Sequence, residues 1–278
     1  MKHQSKVFNN KQKITRLNKL ARTKKYSAHH LAEVFNCNRK TIFKVLRENN
    51  IFLPNLGRFK KRIYCDTKLF VNLSVISAYW AGFIAADGTL FNRDKNVAIS
   101  LNKRDIRHLY KFIKAIRSNA QVGYVKSNNS VHVSICSKSL FDSLIKLGIT
   151  PNKSLTITHV TLPLSLMPHF IRGVFDGDGW INGRKITHVQ FGIAGNRPFL
   201  QQIQDILIKR CHINRVKLYP LSQRGKAYKL QYTGSQIFRI LNFLYKKSSY
   251  QTRLDRKYQK MLELKRKFGI NDVFSNMN

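Results

Sequence analysis

The hydrophobic and polar positions of residues 73–265 follow one pattern twice. Each copy begins with an apolar stretch of helix length, at about 75–87 and 166–178, and continues with segments in which apolar and polar residues alternate, as in half-buried strands. The pattern predicts a helix, a strand, a helix, a β-hairpin and a closing helix in each copy. The later elements are predicted at 96–102, 103–118, 120–127, 130–137 and 138–148 in the first copy and at 185–194, 197–211, 214–222, 226–233 and 235–246 in the second.

The two apolar stretches carry the same short motif. Residues 80–88 read WAGFIAADG and residues 171–179 read IRGVFDGDG, so that Asp178 lies 91 residues after Asp87. Each copy has two small residues four positions apart, and these are Gly82, Ala86, Gly173 and Gly177. Small residues at this spacing lie on one face of a helix and allow two backbones to approach closely. We therefore expect the two helices to pack side by side and to bring Asp87 and Asp178 together.

A pair of carboxylates is conspicuous in a chain with 13 Asp and Glu against 51 Lys and Arg. Two such groups a few Å apart repel each other, and a shared proton or a shared divalent cation relieves the repulsion. Mg2+ prefers oxygen ligands and neutralises charge that develops on phosphate oxygens. The pattern therefore predicts that Asp87 and Asp178 hold Mg2+, or Mn2+ in its place, for phosphodiester chemistry. The alternative is two ordinary helix ends whose carboxylates face solvent.

The charge of the chain indicates its partner. The formal net charge is +38 and the pI is about 10.5, and a surface of this kind binds polyanions, so nucleic acid is the expected partner. A membrane is not expected, because no uninterrupted apolar run approaches the roughly 18 residues of a membrane span. The first residues are polar and lack the apolar core of a secretory signal. The sequence therefore predicts an intracellular protein of the cytoplasm, the nucleoid or an organelle matrix.

Residues 27–51 predict two short helices joined by a turn. Ser27 is a good N-cap for the first helix, residues 36–38 form the turn, and a further helix is expected within 11–25. The arrangement resembles a helix-turn-helix, whose second helix would present basic side chains to a DNA major groove. These side chains are Arg39, Lys40, Lys44 and Arg47. The alternative is an ordinary helical hairpin.

The predicted strands offer a second surface for nucleic acid. One face of each predicted sheet packs on helices, and the other presents basic and hydrogen-bonding side chains that suit a DNA groove. The candidates on this face are Arg215, Lys217, Lys229 and Gln231. A solvated antiparallel face is the alternative, which explains the alternation equally well but not the excess of cations.

These features resemble the LAGLIDADG homing endonuclease family in its single-chain, two-motif form, here with an N-terminal helix-turn-helix. The resemblance covers about residues 70–265. It implies an α+β fold of two pseudo-symmetric αββαββα subdomains that form a DNA-binding saddle, preceded by a small all-α domain. It also implies a monomer that cuts both strands of a long double-stranded DNA target across the minor groove, leaving short 3′ overhangs. Mg2+ would be bound by the last acid of each motif, which is Asp87 in the first and Asp178 in the second.

The resemblance also implies a basic residue near each scissile phosphate. By local pattern the candidates are Lys153 and Lys257, which lie 66 and 79 residues after the two acids. Phosphate contact or plain solubility is the alternative for each lysine. Asp176 occupies the earlier acid position of the second motif, where the first copy has Ala85, and the family resemblance implies a structural role for this position.

The implied domain organisation has five parts. These are a helix-turn-helix domain at 1–51, a basic linker at 52–72, a first repeat at 73–158, a second repeat at 159–265 and a tail at 266–278. Two other functions fit the same charge and fold, namely a DNA-binding transcription regulator without catalysis and an RNA maturase that assists the splicing of intron RNA. The presence of both final acids favours the endonuclease over the regulator.

Overall fold

The structure is a computed structural model and describes residues 8, 11–23, 26–51, 63–222 and 227–270. The chain divides into two units, Met1–Arg62 and Ile63–Asn278. The helices described in the first unit are α1 (Lys11–Arg22), α2 (Ala28–Val34) and α3 (Arg39–Glu48). The predicted helix pair and its preceding helix are therefore confirmed.

The first unit has its own small core and well-capped helices. The Ser27 side chain accepts a hydrogen bond of 3.2 Å from the His30 N–H at the start of α2, and Asn38 accepts one of 2.8 Å from the Thr41 N–H at the start of α3. Such caps satisfy N–H groups that the helix itself leaves unpaired. The buried side chains of the three helices include Leu17, Ala21, Leu31, Ala32, Ile42, Val45 and Leu46.

The second unit repeats one order of elements. The first copy consists of α4 (Val75–Asp87), β1 (Gly88–Phe91), β2 (Asn96–Asn102), α5 (Ile106–Ala115), β3 (Gly123–Val125), β4 (Ser130–Cys136) and α6 (Lys138–Lys146), followed by a short helix, α7 (Lys153–Thr156). The second consists of α8 (Met167–Asp178), β5 (Gly179–Asn182), β6 (Gln190–Asn196), α9 (Arg197–Cys211), β7 (Tyr219–Pro220), β8 (Ala227–Thr233) and α10 (Ile237–Tyr245), followed by α11 (Asp255–Lys267). This repeated αββαββα order confirms the predicted fold class. Among the described residues, no helix is long and apolar enough to cross a membrane.

Each copy forms one antiparallel sheet, and in the described residues each sheet has four strands. The strand order is β1-β2-β4-β3 in the first copy and β5-β6-β8-β7 in the second. The side chains of Val131, Val133 and Ile135 in β4 are buried, as the sequence alternation predicts. One face of each sheet therefore packs into a core shared with the helices, and the side chains of the other face point away from it.

The strands β1, β5 and β7 differ most from the sequence prediction, and β6 begins at Gln190 rather than at 185, after a short 3-10 helix. β1 and β5 were not predicted, because each has only four residues and directly follows a motif helix. The strand predicted at 214–222 is wrong over most of its length, since β7 covers only Tyr219–Pro220. The Gln204 side chain donates to the backbone carbonyl of Val216 at 2.8 Å. This carbonyl would otherwise accept a hydrogen bond from a neighbouring strand. Pro220 has no N–H to donate to a neighbouring strand.

The helices α4 and α8 pack with their backbones in contact. A Cβ atom at Gly82 would overlap the carbonyl oxygen of Phe170, and one at Gly173 would lie 2.6 Å from the backbone nitrogen of Phe83. Neither position has room for a side chain, which is the close approach that small residues four apart allow. The four small residues Gly82, Ala86, Gly173 and Gly177 all lie in or beside this contact.

Residues 63–72, expected within a linker, pack against the first copy. The backbone N–H of Tyr64 donates to the side chain of Asn119 at 3.0 Å, and that of Asp66 donates to the carbonyl of Ile116 at 2.6 Å. Phe70 is buried in the core. The basic cluster at 58–62, also within the expected linker, lies outside the described residues.

Candidate active site

Asp87 and Asp178 lie together at one end of the helix pair. They are the last residues of α4 and α8. Near the end of the contact, a Cβ at Gly177 would overlap the Cβ of Ala86 and lie 3.3 Å from Oδ2 of Asp87. The two helices therefore run in the same direction and end side by side, so that each delivers its final carboxylate to the same place.

The protein around the two carboxylates disfavours their charged forms. Desolvation and the nearby charge of Asp178 raise the pKa of Asp87 to about 6, against the opposing pull of Lys257, Lys153 and Arg256. Desolvation also raises the pKa of Asp178, although its side chain reaches solvent. A site of this kind gains free energy when a proton or a cation neutralises it.

Lys153 stands beside the first motif helix. It is the first residue of α7, and its ammonium group donates to the carbonyl of Ala86, the residue before Asp87. Desolvation lowers the pKa of Lys153, while the charges of Asp178 and Asp87 work in the opposite direction. The lysine thus brings positive charge to the end of α4.

Lys257 stands beside the second motif helix and is more deeply buried, with 5% of its surface exposed. Its ammonium group donates to three carbonyls at the end of α8, those of Phe175 at 2.6 Å, Gly177 at 3.2 Å and Gly179 at 2.5 Å. Burial lowers the pKa of Lys257 to about 8. All three N–H groups of the charged amine are therefore engaged with α8 and the residue that follows it.

Two parallel motif helices with paired final aspartates, flanked by two antiparallel sheets of the same strand order, form the arrangement that the family resemblance implied. The fold is LAGLIDADG-like. Solved structures similar to the chain include the I-LtrWI LAGLIDADG homing endonuclease bound to target DNA, with 11% identity and a TM-score of 0.48 over 73% of this chain and 93% of that one.

Two further solved structures are similar to the chain. Mesophilic variants of the homing endonuclease I-DmoI show 17% identity and a TM-score of 0.48 over 69% of this chain and 99% of that one. Full-length DUF199/WhiA from Thermatoga maritima shows 18% identity and a TM-score of 0.47 over 74% of this chain and 67% of that one. No family model matches the sequence, and no curated protein matches it.

The second motif helix has a buried carboxylate that the first lacks. Asp176 is fully buried and accepts hydrogen bonds from the hydroxyl of Tyr79 at 2.8 Å, the hydroxyl of Tyr245 at 2.5 Å and the backbone N–H of Leu254 at 2.7 Å. Burial raises the pKa of Asp176, while the charge of Lys257 and these hydrogen bonds lower it. The sequence pointed to a structural role at this position but gave no sign of these partners, which come from three distant segments.

Arg172 also connects α8 to the segments that surround Asp176. This buried side chain donates to the carbonyl of Thr252 through Nε and to that of Leu244 through Nη1, both at 2.6 Å. Its guanidinium lies 5.3 Å from the ring centroid of Tyr79. Arg172 therefore joins α8 to the end of α10 and to the segment that follows α10.

The start of α11 is also attached to the first copy. The ammonium of Lys111 in α5 lies 3.0 Å from the carboxylate of Asp255, and the guanidinium of Arg256 lies 2.9 Å from that of Asp105. The α11 residues of these two ion pairs, Asp255 and Arg256, immediately precede Lys257 in sequence. The helix that carries Lys257 is thus fixed to both halves of the LAGLIDADG-like fold.

The residues predicted to contact DNA lie in three environments. Arg39, Lys40, Lys44 and Arg47 share the exposed face of α3. Lys229 and Gln231 lie in β8 on the face opposite the buried Leu230 and Tyr232. Arg215 and Lys217 precede β7 and are not in a strand; Arg215 is ion-paired with Asp205 and bonded to Gln204, and Lys217 lies 5.9 Å from the ring centroid of Tyr219.

The donor set at the helix ends suits a hard divalent cation. Among the described residues, no group of three or more His, Cys, Asp or Glu side chains forms a complete metal cage, and the two carboxylates of Asp87 and Asp178 stand as a pair. Mg2+ is commonly bound through one or two carboxylates, with substrate phosphates and waters as its other ligands. The residues present therefore fit Mg2+ or Mn2+ together with a phosphate.

Proposed function

We propose that this chain is a site-specific endonuclease that hydrolyses one phosphodiester bond in each strand of double-stranded DNA, with Mg2+ held by Asp87 and Asp178. The observation that carries the proposal is the convergence of these two carboxylates at the ends of two packed helices, each with a lysine beside it. One chain supplies both halves of the site, which supports action as a monomer.

Each side chain has a distinct role in this proposal. A bound divalent cation would supply positive charge at the scissile phosphates and promote the attack of water. Asp87 and Asp178 hold that cation, with Mn2+ as a substitute for Mg2+. Lys153 and Lys257 add fixed positive charge that stabilises the phosphate as negative charge develops on it. Lys257 acts as a charge rather than as a base, because its N–H groups already donate to three carbonyls.

Recognition of DNA would use two sets of residues. The net charge of +38 favours binding to phosphates in any sequence. In the first unit, the capped turn between α2 and α3 and the cationic face of α3 suit a helix-turn-helix that places α3 in the major groove. In the second unit, Lys229 and Gln231 provide hydrogen-bonding groups on the partly exposed face of the sheet.

The test is cleavage of a randomised double-stranded DNA library with and without Mg2+, followed by sequencing of the ends. Wild-type protein should yield ends that share one long site and one fixed overhang, only when Mg2+ or Mn2+ is present. The Asp87→Asn/Asp178→Asn double variant should bind the same DNA without cutting it. Asp142→Asn is the matched control, because Asp142 is ion-paired with Lys138 on the surface of α6, and it should cut normally.

Two other outcomes identify the competing functions. Tight, sequence-specific binding of double-stranded DNA by wild-type protein without any cut ends would refute the endonuclease and favour a transcription regulator. Preferential binding of a structured intron RNA, with faster splicing of that RNA, would instead favour a maturase.

A further inference from the structure

Phe43 is an exposed aromatic residue in the middle of a cationic helix face. It lies in α3, and 44% of its surface is exposed. The opposite face of α3 supplies the core of the first unit through Ile42, Val45 and Leu46. Phe43 is therefore not needed to hold this unit together.

Positive charges surround the Phe43 ring. The guanidinium of Arg39 lies 5.6 Å from the ring centroid. A hollow of about 550 Å3 beside the ring is lined by Phe43, Lys40, Lys44 and Arg47. The acid in this lining is Glu48, the last residue of α3, which lies 4.0 Å from the Lys44 ammonium. The first two turns of α3 thus combine positive charge with one apolar ring.

Double-stranded DNA has the complementary chemistry. Its phosphates attract the cations, and the N-terminal residues of a helix in the major groove reach the edges of the bases. From Arg39 to Arg47 the helix rises about 12 Å, which matches roughly three to four base pairs. On those edges, the C5-methyl group of thymine is the apolar group that a phenyl ring contacts.

We propose that Phe43 recognises the C5-methyl group of a pyrimidine in the major groove of double-stranded DNA and so determines specificity at one base pair of the target. The proposal rests on the DNA-binding role proposed above for the first unit. The methyl group belongs to thymine or to 5-methylcytosine, which present the same apolar edge.

The experiment uses the full chain with Asp87→Asn and Asp178→Asn, so that DNA is bound and not cut. Duplexes that bind are selected from a random library, and each thymine of the selected site is then replaced in turn by deoxyuridine, which removes only the methyl group. One replacement should weaken binding about fourfold, the effect expected for one buried methyl group. Adding Phe43→Ala should abolish this difference, so that the thymine and deoxyuridine duplexes bind equally.

A second pair of duplexes distinguishes the two sources of the methyl group. Cytosine and 5-methylcytosine are compared at the sensitive position. Tighter binding of the methylated base by the Phe43 protein, lost with Phe43→Ala, supports recognition of either source. Equal binding of these two duplexes, with the thymine effect retained, supports recognition of thymine alone.

Val34→Ala is the matched control, because Val34 lies in α2 and is 41% exposed; it should keep the difference between thymine and deoxyuridine. The proposal is overturned if no thymine methyl group affects binding, or if the Phe43→Ala protein keeps the difference between thymine and deoxyuridine.

A separate measurement tests the underlying DNA-binding role of α3, namely the salt dependence of binding. Lys40→Ala and Arg47→Ala should each reduce the salt dependence of binding by about one unit of log–log slope if α3 contacts phosphates, and unchanged slopes would refute that role itself.

Discussion

The backbone N–H of Leu254 donates a hydrogen bond of 2.7 Å to the carboxylate of Asp176. Asp176 precedes Asp178 by two residues, and Leu254 precedes Lys257 by three. This bond therefore connects the helix that ends in a proposed metal ligand to the helix that carries a proposed catalytic lysine. Since Leu254 immediately precedes α11, Asp176 helps to position Lys257 without being near it in sequence.

Replacement of Asp176 should destabilise the fold. Asp176→Ala leaves the hydroxyls of Tyr79 and Tyr245 and the N–H of Leu254 without their buried acceptor, and we expect it to lower the free energy of unfolding by about 3 to 5 kcal/mol. Urea denaturation measures this loss. Asp142→Ala, at an exposed ion pair, should change stability by less than about 0.5 kcal/mol. Similar losses in the two variants would contradict a special role for Asp176.

The contact between the motif helices should not tolerate a methyl group. Gly173→Ala places a Cβ against the backbone of Tyr79 and Phe83, and separating the helices to accommodate it should cost about 3 kcal/mol of unfolding free energy. Gly195→Ala is the control, because the atoms nearest to a Cβ there belong to the side chains of Leu200 and Phe199, at 3.3 to 3.4 Å, and not to the backbone. Thermal unfolding compares the two variants. A Gly173→Ala protein as stable as the control would show that the helices have room to move apart.

Removal of one active-site carboxylate should stabilise the metal-free protein. In Asp87→Asn the repulsion from Asp178 disappears, and we expect the free energy of unfolding at neutral pH to rise by about 1 kcal/mol. Added Mg2+ should raise the melting temperature of the wild-type protein but not that of the variant. A variant that is less stable without metal, or that responds to Mg2+ like the wild type, would argue against a shared cation at this pair.

Acid should destabilise the fold through His169. This residue of α8 is 4% exposed, and burial together with the charges of Arg172 and Lys247 lowers its pKa from 6.5 to about 4. Between these pH values the unfolded chain binds a proton that the folded chain does not, so this contribution to stability is present above pH 6.5 and is lost as the pH falls. Relative to His169→Gln, the wild type should lose about 2 kcal/mol between about pH 7.5 and about pH 4.5. Denaturation at both pH values tests this, and parallel changes in the two proteins would refute it.

Much of the fold follows from the sequence because its signals are strong and local. α4 begins and ends at the predicted residues, since an apolar stretch that stops at a glycine is a clear helix pattern. β1 and β5 escaped prediction because four residues are too few to show an alternation. The predicted strand around Arg215 was wrong because contacts with α9, a tertiary feature, decide the path of that segment.

The candidate site could be predicted from the repeat and from the family resemblance. Asp87 and Asp178 stood out through their matching positions, and Lys153 and Lys257 through the resemblance together with local pattern. The partners of Asp176 did not stand out, since Tyr79, Tyr245 and Leu254 are up to 97 residues from it and no short pattern relates them. Phe43 was missed for a different reason, because an exposed aromatic side chain is recognised as unusual only after the core is known.

The two copies of the second unit differ in residues at the candidate site, so the proposed DNA target need not be symmetric. The first copy has Ala85 at the position that Asp176 occupies in the second. Lys153 lies in a four-residue helix, whereas Lys257 lies in a longer helix that is ion-paired to the first copy. A symmetric dimer presents one surface twice and therefore selects palindromic sites. Under the proposed function, a substitution in this single chain would alter one half-site and leave the other unchanged, so the two ends of the DNA target could be unrelated sequences, each contacted by its own sheet.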